Sequence, residues 1–422
     1  MRNYRIITAL IAPLLPLWLL WRRWRGKEDV RRMGERLGVP SRPRPAGTLL
    51  WLHAASVGEA NSILLLIKKL RAQFAQVNVL LTTGTVTSAK LMQSRLPKEV
   101  IHQYAPVDTP QATERFIRHW KPDLAFWVES EFWPNMVFTA DKYQCFMGVI
   151  NARLSERSFK RWQKYPTMMQ RMLSCFNVIF AQSAEDAKRL QALGAKEAFC
   201  LGNLKYDAAF LPCDEAELLR LKNAVGARPV WLAASTHPGE EAMAAEAHAA
   251  LLQKHPEMLL VITPRHPNRG EAIAAEMKKR WRVAQRARKE AITADAQIYI
   301  ADTLGELGLF YRLSEMVFMG GSLVPHGGQN PLEPARLACA ILTGPHTHNF
   351  ADIYRELERA NGCLGVKNAA HLASQVELLL ANPPTLNTLQ TNARQWVESQ
   401  GGATDRVLDT LAPLFSVGKK AA

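Results

Sequence analysis

Three carboxylates and a lysine in the first half of the chain stand where acid–base work is possible. His53-Ala-Ala-Ser-Val-Gly-Glu59 closes a short apolar run, and a helical pattern starts near Gly58. A carboxylate there faces the carboxyl edge of a sheet and can serve as a general base. The same position is also where an acid simply complements a helix dipole. Ala54, Ala55, Ser56 and Gly58 are small enough for a ligand to approach the backbone. A second apolar run ends in Trp127-Val-Glu129-Ser-Glu131-Phe-Trp-Pro-Asn135. Pro134 suits the first turn of a helix, and capping alone would account for Glu131. Glu129 lies at the strand end, where a carboxylate can tune a base or contact developing charge. Arg153, in Asn151-Ala-Arg-Leu, is either a contact for an anionic group or a surface cation. Gly202-Asn-Leu-Lys205-Tyr-Asp207 adds a lysine between the two halves of the chain.

The second half offers anion-binding chemistry. Ser235-Thr236-His237 leads from an apolar run into a helix and presents hydroxyls and backbone N–H groups to a phosphate. Pro264-Arg265-His266-Pro267 ends the next run with a guanidinium suited to bidentate phosphate binding. Gly320-Gly321-Ser322 begins a glycine-rich turn that continues to Asn330-Pro331-Leu332-Glu333, a pattern expected to cradle phosphate, with Glu333 accepting ribose hydroxyls. Leu304-Gly305-Glu306 opens another helix on the same side. Neither a P-loop nor a dinucleotide fingerprint is present, which speaks against an NTPase and a dehydrogenase. No H-E-x-x-H, D-x-D or His/Asp cluster occurs, so no metal cofactor is expected.

These motifs need a scaffold, and the chain is long enough for one: 422 residues, 48% hydrophobic and 22% charged, suit two domains and exclude collagen-like, disordered and coiled-coil classes. Cys145, Cys175, Cys200, Cys213, Cys339 and Cys363 form no C-x-x-C pair, against a disulfide framework or zinc ribbon. Apolar runs at Leu49–His53, Val77–Thr82, Leu124–Val128, Phe146–Ile150 and Val178–Ala181 alternate with helical stretches such as Gly58–Phe74. After a polar pause at Asn203–Ala227 the runs resume at Val230–Ala234, Leu259–Thr263, Gln297–Ile300, Met316–Met319 and Ala340–Thr343, and Ala369–Phe415 reads as helices only. The expected class is α/β, two Rossmann-like domains with parallel sheets facing a central cleft, each site motif lying at a strand's carboxyl end. The expected boundaries are 1–38 for an anchor with its basic segment, 39–205 for the first domain and 206–422 for the second. Ile63–Ile67 is expected in the core, unless part of it lines an approach for acyl chains.

Lys and Arg number 53 against 38 Asp and Glu, a net charge of +15 that implies an anionic partner. The N-terminus favours a membrane. Ile6–Trp21 is uncharged and apolar, and Arg22, Arg23, Arg25, Lys27, Arg31 and Arg32 follow it. As a helix of about 16 residues it spans roughly 24 Å, short of a hydrocarbon core of about 30 Å, and Pro13 and Pro16 interrupt it. It is therefore either a short span or a segment embedded in one leaflet. A cleaved signal peptide would need a small-x-small site, and arginines stand there instead. Positive-inside logic keeps the body cytoplasmic, with Trp18, Trp21 and Trp24 at the headgroups. A tethered nucleic-acid-binding protein is the rival class, but the interleaved basic and aromatic residues it requires are missing.

Taken together, Ser56-Val-Gly-Glu59, Glu129-Ser-Glu131-Phe-Trp-Pro-Asn135, Asn151-Ala-Arg-Leu, Asn203-Leu-Lys205-Tyr-Asp207, Ser235-Thr236-His237, Pro264-Arg265-His266-Pro267 and Gly320-Gly-Ser through Glu333 resemble, in order and spacing, the Kdo transferases of lipopolysaccharide biosynthesis. These are glycosyltransferases of the GT-B fold, and the resemblance covers essentially the whole chain. It implies CMP-Kdo as donor, a phosphorylated lipid A precursor (lipid IVA) as acceptor, and anionic lipids of the cell inner membrane as a third partner, with no nucleic acid. By the same resemblance Glu59 is the general base, and Glu129 and Lys205 stabilise the transition state. Pro264 and Arg265, Leu304 to Glu306 and Asn330 to Glu333 contact CMP. The rival enzyme reading is a GT-B transferase using another nucleotide sugar, such as a UDP-sugar.

Overall fold

The computed structural model describes residues 2–207 and 210–416. The chain divides into two compact units, Met1–Ala208 with Gln400–Ala422, and Ala209–Ser399. Among the described residues the first unit holds a seven-stranded parallel sheet built from β1 (Leu49–Ala54), β2 (Asn78–Thr83), β3 (Ile101–Tyr104), β4 (Leu124–Val128), β5 (Phe146–Ala152), β6 (Val178–Ala181) and β7 (Phe199–Cys200). Its order is β3-β2-β1-β4-β5-β6-β7. Continuous apolar runs form these strands because both faces are covered. Leu49 and Trp51 of β1 enter one core, while Leu50, Leu52 and Ala54 enter the other.

The second unit repeats the architecture with β8 (Val230–Thr236), β9 (Leu259–Pro264), β10 (Val283–Gln285), β11 (Ile298–Ile300), β12 (Met316–Met319), β13 (Ala340–Thr343) and β14 (Cys363–Gly365), in the order β10-β11-β9-β8-β12-β13-β14. All ten apolar runs read from the sequence are strands. The four strands that the reading lacked, β3, β7, β10 and β14, are the two edges of each sheet. An edge strand needs fewer apolar side chains, and these span only two to four residues.

Two expectations require correction. The terminal helix Ala403–Ser416 does not belong to the second domain. Val407, Leu408, Leu411 and Phe415 cover the first sheet beside Leu66, Ile67 and Leu70, and Asp207 caps the helix, accepting from the N–H groups of Gly402 at 2.7 Å and Thr404 at 2.5 Å. The single helix expected over Gly58–Phe74 is two, Val57–Ser62 and Leu64–Gln73, broken at Ile63. Ile63, Leu66 and Ile67 are fully buried in the core, as expected, while Leu64 and Leu65 between them are half-buried.

At the N-terminus a helical stretch, Asn3–Trp24, covers 22 residues, long and apolar enough to cross a membrane. Its two α-helical parts, Arg2–Ile11 and Leu15–Trp24, flank a 3-10 turn at Ala12–Leu14, where Pro13 falls. One side packs on the first unit. Leu19 is buried, Tyr4 donates to Asp108 at 2.9 Å, and Asn135 donates to Thr8 at 3.0 Å. Ile7, Leu10, Leu14 and Leu17 remain exposed.

Candidate active site

In an open parallel sheet, ligands bind beyond the carboxyl ends where the strand order reverses. The first sheet reverses between β1 and β4, and the segments leaving those two strands carry Glu59 and Glu129. Ser56 is the N-cap of the helix Val57–Ser62 and accepts from the Glu59 N–H at 3.3 Å. The Glu59 carboxylate turns back on this cap, accepting from Ser56 Oγ at 2.7 Å and from the Ala55 N–H at 2.8 Å. Ser-x-x-Glu is the spacing of a capping box, so the sequence did carry this second reason for Glu59. Both hydrogen bonds favour the anion, yet burial outweighs them. Desolvation, with the Glu131 and Glu129 charges nearby, pushes the Glu59 carboxyl up to about 7. A carboxyl group tuned to neutral pH suits a general base better than a cap requires.

Glu129 sits at φ +60, in the left-handed region where a non-glycine residue costs roughly 1 kcal/mol. Its Oε1 lies 2.5 Å from Lys205 Nζ, so the two residues taken from separate motifs meet in one ion pair. Asn151, itself at φ +57, accepts from the Leu204 N–H at 2.9 Å and fixes the turn that carries Lys205. Arg153 is half-buried at the end of β5, and its guanidinium makes no hydrogen bond or ion pair with the described residues. Glu131 is not a cap. It accepts from Trp133 Nε1 at 2.8 Å, while the helix Pro134–Lys142 is capped by Asp108, which accepts from the Asn135 and Met136 N–H groups at 3.1 and 2.8 Å. Sequence reasoning missed Asp108 because it follows the edge strand β3.

The second sheet reverses between β8 and β12, whose ends carry Ser235 and Gly320. Ser235 occupies φ +55 at a bulge between β8 and β9. Ser235, Pro264, Arg265, Leu304 and Gly305 line one cavity of about 150 Å³. Arg265 is exposed there, anchored by its N–H to Thr236 O at 3.0 Å. Other expected contacts are already occupied. Thr236 donates its hydroxyl to Glu241 at 2.8 Å, and Glu306 is paired with Arg286 at 2.5 Å. The glycine-rich turn also differs from the expected phosphate cradle: Gly321, Ser322 and Leu323 give their N–H groups to buried Glu240, at 2.6, 3.0 and 3.0 Å. Gly320 serves packing instead, since a Cβ on it would stand 2.4 Å from Ser235 O. Asn330 accepts from the Leu332 N–H at 3.1 Å, where the short helix Leu332–Arg336 begins with Pro331 as its cap, and Glu333 is half-buried in its first turn. Neither Glu240 nor Glu241 was singled out from the sequence. Their position at the start of the helix Glu240–Leu252 suggests only a dipole role.

Comparison with known proteins identifies the family. Residues 31–208 match the family model described as 3-deoxy-D-manno-octulosonic-acid transferase (kdotransferase). A probable mitochondrial 3-deoxy-D-manno-octulosonic acid transferase of Arabidopsis thaliana is 37% identical over 411 residues, covering 94% of this chain and 92% of that one. The 3-deoxy-D-manno-octulosonic acid transferase of Haemophilus influenzae is 36% identical over 422 residues, covering 97% of each. Among solved structures, UDP-GlcNAc 2-epimerase from Neisseria meningitidis aligns over 87% of this chain and 100% of its own, with a TM-score of 0.59 at 14% identity, a likeness of fold alone. Two doubly wound sheets with this sequence kinship leave one conclusion: the chain belongs to the 3-deoxy-D-manno-octulosonic acid (Kdo) transferases, glycosyltransferases of GT-B architecture.

Proposed function

We propose that the protein transfers Kdo from CMP-Kdo to a phosphorylated lipid A precursor, lipid IVA, at the cytoplasmic face of the inner membrane, with inversion. The observation that carries the reading is Glu59, a buried carboxyl pushed up to about 7 at the switch point of the first sheet. An acceptor hydroxyl gives its proton to Glu59 as its oxygen bonds to the anomeric carbon of Kdo. The bond from that carbon to the CMP phosphate breaks, and the electron pair leaves with CMP. Arg265 and Lys205 are fixed cations for the charge that develops, Lys205 being held by Glu129. Ser235, Pro264, Leu304 and Gly305 contact CMP beside Arg265, while Gly320, Gly321, Thr236 and Glu306 shape that site through their internal bonds. Asn330 to Glu333 supply further CMP contacts. Deprotonation by Glu59 and departure of CMP make a single displacement, which calls for no metal.

The exposed apolar face of Asn3–Trp24 and the arginines after it support attachment to an anionic leaflet, where the acceptor resides. The test is mass spectrometry of a tetraacyl lipid A precursor incubated with purified protein and freshly made CMP-Kdo. Added Kdo mass is expected. An unchanged acceptor, in a folded preparation, would refute the assigned acceptor.

A further inference from the structure

A cavity of about 210 Å³ lies within the first unit, between the N-terminal helix and the carboxyl edge of its sheet. Its walls are Trp18 of that helix, Ala55, Gly84 and Val107 from the ends of β1, β2 and β3, and Trp133 and Met136 after β4. The space would hold about seven water-sized groups at ~30 Å³ each. It lies one residue from the base, because the Ala55 N–H is a donor to Glu59.

The charged residues around it are spent on one another. Glu28 accepts from Arg22 at 2.6 Å and from Arg36 at 3.1 Å, and Arg36 donates onward to Gly84 O at 2.7 Å. Asp108 is held by the helix it caps. These two carboxylates offset the two arginines, so the walls carry little net charge for a phosphate.

His53 also forms part of the wall, and it is different. The residue is 2% exposed and its Nε2 has no hydrogen-bond partner. Thr82 takes the other ring nitrogen. Its Oγ1 accepts from Trp51 Nε1 at 2.9 Å and has one proton to give. His53 Nδ1 stands at 2.9 Å and the backbone alternative, Leu52 O, at 3.4 Å. The Thr82 hydroxyl shares one hydrogen bond with Nδ1, so whichever nitrogen carries the proton of the neutral ring, Nε2 is left unpartnered. Walls whose charges are paired among themselves, with one unpartnered ring nitrogen, match a hydrocarbon chain bearing an oxygen. The route in is apolar as well, since Trp18 is both a wall and 43% exposed, on the helix that presents Leu10, Leu14 and Leu17 outward.

We propose that this cavity is an acyl subsite, holding the carbonyl-proximal part of one fatty acyl chain of the acceptor with His53 Nε2 hydrogen-bonded to an acyl oxygen. The assignment to the acceptor rests on the lipid substrate proposed above, whereas acyl binding itself does not. The probe is a long-chain N-acyl glucosamine bearing a diazirine, photolysed with the full chain in detergent micelles and mapped by peptide mass spectrometry. Label is expected on the peptides containing Val107 or Trp133–Met136. Val107→Phe fills the cavity and is expected to abolish that labelling. His53→Leu removes the ring nitrogen and is expected to lower it about ten-fold, the size of one lost hydrogen bond, and His53→Gln, whose side-chain amide can stand where Nε2 stood, restores it. Label confined to the outward face of Asn3–Trp24, or unaffected by either variant, overturns the subsite.

In transfer assays, the ratio of KM for the acylated acceptor to KM for its deacylated disaccharide should rise about ten-fold in His53→Leu. A wild-type protein that labels in the cavity but transfers to no glycolipid would keep the acyl site and remove the acceptor. One that transfers normally but never labels there would do the reverse.

Discussion

As the proposed base, Glu59 ties catalysis to stability. Its carboxyl is raised from 4.5 to about 7 in the folded protein, so the native state holds this proton more tightly than the unfolded chain. The sign follows from linkage: the contribution is favourable below pH 4.5 and is lost as pH rises through about 7. Glu59→Gln removes the buried charge. We therefore expect that variant to melt above wild type at pH 8, with the gap closing towards pH 5. The gain should not exceed a few kcal/mol, because a tenfold difference in proton affinity is worth about 1.4 kcal/mol. Turnover should fall by about 10²–10⁴-fold while CMP binding persists. Calorimetry and a transfer assay on the same preparation check both halves, and wild-type turnover would remove Glu59 as the base. For the wild type, kcat/KM should climb with pH to a plateau above about 7. Because the Glu131 charge helps to raise Glu59, Glu131→Gln should move that limb to lower pH, though modestly, as desolvation is the larger cause.

At the level of elements, strand ends are fixed by carboxylates borrowed from elsewhere in the chain. Asp108 holds the first turn of Pro134–Lys142 and, through Tyr4, the N-terminal helix. Asp108→Ala should cost about 1–2 kcal/mol in urea denaturation, the usual size of a lost cap. A variant as stable as wild type would show that this capping contributes nothing. Glu240 does similar work for the turn after β12. None of these partners was legible in the sequence, because the pairing spans up to 104 positions and local pattern carries no sign of it. The interior strands were legible for the opposite reason: burial on two faces writes a continuous apolar run. Edge strands such as β7, whose Phe199 and Cys200 are both exposed, write none.

For the molecule as a whole, the chain closes back on its first unit. Ala403–Ser416 covers a face of the first sheet, while Ala209–Ser399 is compact without it. Residues 209–399 expressed alone should therefore unfold cooperatively, whereas residues 1–207 should do so only with the terminal helix supplied. Limited proteolysis of the two fragments decides this, and a protease-resistant 1–207 fragment would contradict it. The charge of +15 also acts at this scale. Binding to anionic vesicles should weaken sharply between about 0.1 and about 1 M salt, as the screening length drops from about 10 to about 3 Å. Salt-independent binding in flotation assays would assign attachment to the apolar helix alone.

The sequence by itself determined the class of fold, the ten interior strands and the segments that bear Glu59, Glu129, Lys205, Ser235 and Arg265, because strand periodicity and strand-end chemistry are local properties. Kinship with the Kdo transferases was legible for the same reason: the motifs keep their order and spacing. Tertiary structure alone decided that Lys205 pairs with Glu129, that Glu240 fills the glycine-rich turn, and that the last helix returns to the first unit. It also decided that His53 retains an unpartnered ring nitrogen beside the N-terminal helix. Those facts depend on desolvation and on which distant groups burial brings within hydrogen-bonding reach, and neither is encoded at any one position of the chain.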